Sequence, residues 1–223
     1  MILFLKHRVL EMAELKINRK RLIVSIILFA VFIVFTILAY TYDKAPIGAD
    51  GSNVGFSHIN SAFHSRFGFR SSFYKMSEYL GYICLMVAAM NATIALLDLI
   101  RTKSLKKMDR DYLVTMFLYA AVVFFYILFE VVVINVRPTE TEASYPSSHT
   151  MLALTVLYSQ TILLEKMQKK EKGTRIALSV ICYIAMVAMV ILRLFSGVHW
   201  FTDIVAAVLL SASLLVCYRA FIK

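Results

Sequence analysis

The chain has 223 residues, of which 60% are hydrophobic and only 17% charged, and its mean hydropathy is +0.74. A soluble domain of this size is nearer half apolar and a quarter charged, so the balance excludes a soluble globular protein and points to an integral membrane protein. The formal net charge of +10 would suit a nucleic-acid partner, but its distribution, described below, reads as membrane topology, and no nucleic acid is expected. Cys84, Cys182 and Cys217 all lie inside apolar runs and read as free thiols packed in helices. No Cys-x-x-Cys pair or His-rich tract suggests a structural metal.

Residues 1–21 are basic and broken by polar side chains. The opening Met1 to Leu5 run is too short for a signal-peptide core, and Lys6, His7 and Arg8 follow it instead of preceding it. The segment reads as an amphipathic helix on the cytoplasmic surface. Residues 22–40 carry no charge and are long enough to cross ~30 Å of hydrocarbon. Residues 41–75 form the longest connection. Within them Phe56, Phe63, Phe67, Phe69, Phe73 and Tyr74 alternate with His58, His64, Arg66, Arg70 and Lys75. This pattern predicts an outer interfacial segment, either a lid over a site or an aromatic belt at the membrane surface.

Further spans are predicted at residues 80–100, 113–134, 147–164, 176–193 and 201–222. The expected fold is therefore an all-α, single-domain membrane protein with six transmembrane helices. Six spans put both termini on one side, and no repeat or linker divides residues 1–223. Of the 24 Lys and Arg, only Lys44, Arg66, Arg70, Lys75, Arg137 and Arg193 fall on the other face. The positive-inside rule makes the termini cytoplasmic and turns the opposite face outward, at the cell membrane, with the basic face against anionic lipid.

Three stretches meet at that outer face: Arg137-Pro138, then Tyr145 to His149, then Arg193 to Asp203. Pro146 lacks an N–H that a helix start would leave unpaired, and Ser147 and Ser148 suit the cap and first turn. A helix N-terminus attracts phosphate, and His149 adds a group able to give or take a proton near neutral pH. Pro138 disfavours helix at Arg137 and should leave its guanidinium in the outer pocket. His199 and Asp203 are four apart and so share a helix face, where the carboxylate would fix the imidazole tautomer. The set suggests phosphoryl transfer. Arg137, Arg193 and Ser147 bind phosphate, His199 oriented by Asp203 attacks phosphorus, and His149 protonates the leaving oxygen. No metal or other cofactor is needed, because the arginines and the helix dipole neutralise the charge. The rival chemistry takes His149, His199 and Asp203 as three ligands of one ion, although two neighbouring arginines would repel it.

Residues 130–203 resemble the three signature motifs of the type 2 phosphatidic acid phosphatases, which are membrane lipid phosphate phosphatases. The matching pieces are Arg137-Pro138, Pro146-Ser147-x-His149 and Arg193-x5-His199-x3-Asp203, in order and spacing. The resemblance implies a six-helix fold with an outward site, and a phosphohistidine on His199. It also implies His149 as general acid, and phosphate contacts from Arg137, Ser147 and Arg193, with the Ser148 backbone N–H retained. Three positions depart from the family pattern: Glu130 stands at its lysine, Ser148 at its glycine and Leu192 at its serine.

The expected function is metal-independent hydrolysis of a lipid phosphate or diphosphate. The resemblance suggests undecaprenyl diphosphate first, then phosphatidylglycerol phosphate or phosphatidic acid. Two alternatives stay open: a lipid phosphotransferase using the same intermediate, and a lipid-binding or transport protein on this scaffold. Glu130 precedes Arg137 by seven residues, which on a continuous helix puts both on one face with the carboxylate up to ~10 Å deeper. An unpaired carboxylate there is costly. Glu130 should therefore face the pocket with Arg66, Arg70 or Lys75 compensating, or brace an arginine.

Overall fold

A computed structural model describes residues 17–167 and 169–222; the predicted amphipathic segment 1–21 lies almost wholly outside them. Among the described residues seven α-helices follow in order: α1 (Arg19–Thr41), α2 (Ser57–Phe67), α3 (Ser71–Thr102), α4 (Arg110–Val131), α5 (Ser148–Leu164), α6 (Lys172–Ser196) and α7 (Phe201–Phe221). Five of them, α1, α3, α4, α6 and α7, are long and apolar enough to cross a membrane. Their outward residues, such as Ile26, Phe117, Phe124 and Ile184, are large, apolar and exposed, as expected where lipid supplies the missing contacts.

The remaining long helix, α5, has 17 residues and is buried on most sides. It touches α3, α4, α6 and α7, while α1 packs chiefly on α7. Its buried small and polar residues, Thr150, Ala153, Thr155, Ser159 and Thr161, allow close helix approach. Midway along the bundle Asn91 of α3 donates to Tyr119 Oη of α4 (3.0 Å) and to Gln160 Oε1 of α5 (2.9 Å). Tyr119 in turn hydrogen-bonds Ser159. The three thiols are free, with Cys84 and Cys182 buried.

Local chemistry sets the helix ends. Asn18 caps α1 by accepting from Arg21 N, and Asp109 caps α4 by accepting from Asp111 N. Asp203, in the first turn of α7, accepts from the N-cap backbone N–H of Trp200 and so satisfies a donor at the helix start. Gly197 ends α6 at φ +73. A side chain there would strike the Gly68 carbonyl, so a glycine is what lets the α2–α3 turn lie against the α6–α7 turn. Arg70 N donates to Ser196 O (3.0 Å) across the same contact.

Two predicted boundaries shift, with consequences for the site. Helix α3 begins at Ser71 instead of residue 80; the Ser, Tyr, Lys and Glu of its first turns hid it from a search for apolar runs. Helix α4 ends at Val131 with Val132 as its cap, three residues before the expected end. The β-branched run Val131 to Val133 and Ile134 favours extended chain. Arg137 therefore lies beyond the helix, in a short hairpin bridged at Val136 and Ala143. The two-turn spacing assumed between Glu130 and Arg137 does not exist.

Candidate active site

One end of the bundle gathers the N-termini of α3, α5 and α7, the C-termini of α4 and α6, and the 135–144 hairpin. Segment 41–75, predicted as interfacial, covers this end through α2. Asn60 of α2, fully buried, accepts from Thr202 N (3.2 Å) and donates to Gly55 O (2.8 Å), pinning the segment to the start of α7.

At the centre stands Arg193, 1% exposed. Its Nη1 donates to Ser77 Oγ (3.0 Å) and Glu78 Oε1 (2.9 Å), both on α3. Its Nη2 donates to His149 Nδ1 and His199 Nε2, each at 3.1 Å. These contacts fix both tautomers, because arginine only donates. His149 accepts at Nδ1, so the proton of the neutral ring is on Nε2, which lies 3.3 Å from Glu78 Oε1. His199 Nδ1 donates to the Ser144 carbonyl (2.9 Å), which leaves Nε2 as a lone pair facing the guanidinium. Burial pushes the His199 imidazole down to about 4. Asp203 opposes that shift, and Arg193 and Arg137 add to it. The ring is therefore neutral, and nucleophilic, at ordinary pH.

Asp203 is not the direct tautomer partner expected from the spacing. Its Oδ2 lies 3.8 Å from His199 Nδ1, too far for a hydrogen bond. That oxygen accepts from Trp200 N, and Oδ1 accepts from Asn135 Nδ2 (3.0 Å). The tautomer is set by the hairpin carbonyl, which Ser144 N→Asn135 O holds in place. For the rival metal arrangement, no group of three or more His, Cys, Asp or Glu is placed to hold an ion among the described residues, and Arg193 Nη2 already donates to one nitrogen of each histidine.

Ser147 caps α5 and is fully buried. Its hydroxyl accepts from Thr150 Oγ1 (3.1 Å) and its N–H donates to Asp203 O, so it faces the helix interior. Pro146 precedes the cap, in a cis bond to Tyr145. Ser148 lines a narrow crevice together with Glu130, Arg137, Ser144 and His199 and with Phe125, Tyr126, Phe129 and Met151. Arg137 reaches the crevice while pairing with Glu140 (3.0 Å) and Glu142 (3.4 Å) of its own hairpin. Arg137 Nε and Arg193 Nε are buried donors without a partner among the described residues.

Glu130 is exposed and lines the same crevice. Among the described residues no cation pairs with it, so neither expected arrangement holds: it braces no arginine and nothing compensates it. Arg66 and Lys75 are exposed, and Arg70 donates to Phe67 O and lies over Phe73. The carboxylate that does engage the cationic centre is Glu78, which sequence reasoning missed along with Ser77, Asn135 and the Ser144 carbonyl. One signal was available, since Glu78 is the sole acidic residue between Asp50 and Asp98.

Comparisons with known proteins give the family and the fold. The model of the PAP2 superfamily matches residues 58–223. A crystal structure described as the first transmembrane PAP2 type phosphatidylglycerolphosphate phosphatase from Bacillus subtilis superposes with a TM-score of 0.61. It shares 16% sequence identity, and the match covers 88% of this chain and 93% of that one. At that identity the likeness is one of fold. No curated protein sequence matches the chain.

Proposed function

Because the chain belongs to the PAP2 superfamily, we propose that it is a metal-independent membrane lipid phosphatase working through a phosphohistidine on His199. The observation that carries this reading is the His199 tautomer. The hairpin carbonyl binds Nδ1–H, and the free Nε2 lone pair points at a buried guanidinium, where a phosphoryl group would be held for attack. The lone pair of Nε2 forms a bond to phosphorus as the bond to the lipid oxygen breaks. The departing oxygen takes a proton from His149, which acts as the imidazolium, having taken up a second proton once the phosphate has drawn Arg193 away from its Nδ1, and which is left neutral. Water then attacks the phosphohistidine, gives a proton back to His149 and releases phosphate. Arg193 and Arg137, with their spare Nε–H donors, stabilise charge on the equatorial oxygens.

The substrate is an amphiphile from the surrounding bilayer. Phe125, Tyr126, Phe129 and Met151 line the crevice together with Arg137 and His199, and the outward faces of the surrounding helices carry large exposed apolar residues, which suits a phosphate carried on an acyl or prenyl chain lying in the bilayer. Undecaprenyl diphosphate, phosphatidylglycerol phosphate and phosphatidic acid all fit that description. With α5 as a sixth span, about 25 Å at 1.5 Å per residue, the termini are cytoplasmic and the site faces outward from the cell membrane.

The test is phosphate release from lipid phosphates by detergent-solubilised protein in EDTA, with rapid-quench trapping of labelled enzyme. Wild type should turn over and give an acid-labile phosphoenzyme, His199→Ala should give neither, and Asp203→Asn should keep a weak residual. Near-normal turnover in His199→Ala overturns the mechanism, and phosphoryl transfer to a second lipid without release would make the protein a transferase.

A further inference from the structure

The reaction asks two things of His149 that the resting structure sets against each other. To protonate a departing oxygen the ring must carry a proton on both nitrogens. At rest it cannot, because Arg193 Nη2 donates to Nδ1 at 3.1 Å. Among the described residues the charged and titratable groups that act on the ring are Arg193 on α6, His199 on the α6–α7 turn, Arg137 on the hairpin and Glu78 on α3. Glu78 is the one anion of that set. Its Oε1 lies 3.3 Å from His149 Nε2 and accepts from Arg193 Nη1 at 2.9 Å. Ser77, fully buried, accepts from the same Nη1, and Gly81 lets the imidazole lie against bare backbone. Positions 77, 78 and 81 run along one side of α3, so this helix presents the carboxylate to ring and guanidinium together.

We propose that Glu78 is the positioning residue of the general acid, the anion that holds a second proton on His149 while the phosphoryl group is transferred. The inference rests on the phosphatase reading and adds a residue to its mechanism. Once a phosphate oxygen replaces Nδ1 as the acceptor for Arg193, Nδ1 is free to bind a proton. A lipid phosphate that still carries one delivers it. The P–O–H proton moves to Nδ1, the ring becomes the imidazolium, and the phosphate gains one negative charge. Nε2–H of that cation faces Glu78, and an opposite charge within ~4–6 Å favours the charged form of a group. The Nδ1 proton then passes to the lipid oxygen as its bond to phosphorus breaks, which leaves the ring neutral. Glu78 neither gains nor loses a proton and keeps its bond to Arg193. A neutral side chain at 78 would leave the cationic ring beside Arg193 and Arg137 with no carboxylate of the protein facing it.

The experiment compares two leaving groups in single turnovers by the full-length protein in detergent, at saturating substrate, where the rate reports groups of the bound complex. Short-chain phosphatidic acid releases an alkoxide, which needs a proton. 4-Nitrophenyl phosphate releases a stable phenolate, which does not. In Glu78→Gln the lipid rate should fall about 10²-fold, the share a general acid supplies, while the nitrophenyl rate stays within about threefold. With the lipid, the alkaline limb of the rate should move to lower pH by about 1–3 units, because the cation loses its counter-charge. Glu78→Asp, which withdraws the charge by one methylene, should show a smaller move in the same direction. Ser77→Ala removes a neutral partner of the same guanidinium and should leave the limb and the ratio of the two rates as they are. Equal losses with both substrates in Glu78→Gln overturn the inference in favour of a brace for Arg193. An unmoved limb in either folded variant at position 78 also overturns it. His149→Ala gives the reference pattern, and equal losses there remove the general acid and the inference with it. Normal wild-type turnover with any of these failures leaves the phosphatase reading standing, whereas a wild type that turns over neither substrate sinks that reading itself.

Discussion

Gly81→Ala is the sharpest probe of the His149 position. A methyl group at residue 81 would lie 2.6 Å from His149 Cδ2 and 3.0 Å from Nε2, where ordinary contact is 3.4–4 Å. The ring must retreat by about 1 Å, and a misplacement of that size in a reacting group costs on the order of 10²-fold in rate. That is about 2.7 kcal/mol of transition-state stabilisation. Stability should respond differently. The clashing atoms belong to a side chain able to turn, and the helix gains about 1 kcal/mol when alanine replaces glycine. That offsets much of an overpacking cost of about 1–3 kcal/mol. The expected result is a kcat lowered about 10²-fold with a midpoint of thermal unfolding within a few degrees of wild type. Gly173→Ala is the control, since it lies in α6 and a methyl there meets no atom within 4 Å; it should leave kcat unchanged and at most raise the unfolding midpoint slightly. Wild-type kcat in Gly81→Ala would refute the claim that α3 sets the position of His149.

Two further outcomes are expected. Asn91→Ala removes hydrogen bonds to Tyr119 and Gln160, each worth about 0.6–1.7 kcal/mol inside a membrane bundle; unfolding in detergent should shift down by several degrees with kcat unchanged, and an unshifted midpoint would show the network to be dispensable. For pH, the folded protein keeps His199 neutral down to about 4, against an ordinary value of 6.5. The unfolded chain takes up the proton first, so this group's stabilisation is complete above about pH 6.5 and is lost as pH falls toward 4. His199→Asn should flatten that acid slope in thermal unfolding, and an equal slope in both proteins would contradict it.

The membrane class, five of the six expected spans and the three motif stretches were legible because they depend on composition, periodicity and short spacing. Arg193, His149 and His199 meet as the motif order suggested. Contacts made across the chain were not legible. Glu78 reaches Arg193 over 115 positions, and only the polar extension of α3 brings it there. A hydropathy window discards that extension because charged residues lower its mean. The hairpin was hidden for a different reason. Residues 131–134 are apolar enough to continue a span, and only their β-branching argues that α4 has ended. That misplaced end carried the whole argument about Glu130, which failed with it.

Asp203 shows why motif spacing can identify a residue and still misstate its work. Four residues from His199, it looks like an orienting carboxylate, yet its two oxygens hold Trp200 N and Asn135 Nδ2 while its carbonyl receives Ser147 N. It thereby joins the loop that carries His199, the hairpin that carries Ser144, and the helix that carries His149. An amide at 203 would point an NH2 at one of two donors, so the three pieces would loosen together. The charge has a separate part. On the proposed mechanism the ring becomes cationic when Nε2 of His199 bonds to phosphorus, and a carboxylate 3.8 Å from Nδ1 would then attract it. At an effective dielectric of 20 a pair of unit charges near 4 Å apart interacts by about 4 kcal/mol. Fixed by its two donors, Asp203 supplies that attraction without moving, which is the condition for it to favour the intermediate over the resting state.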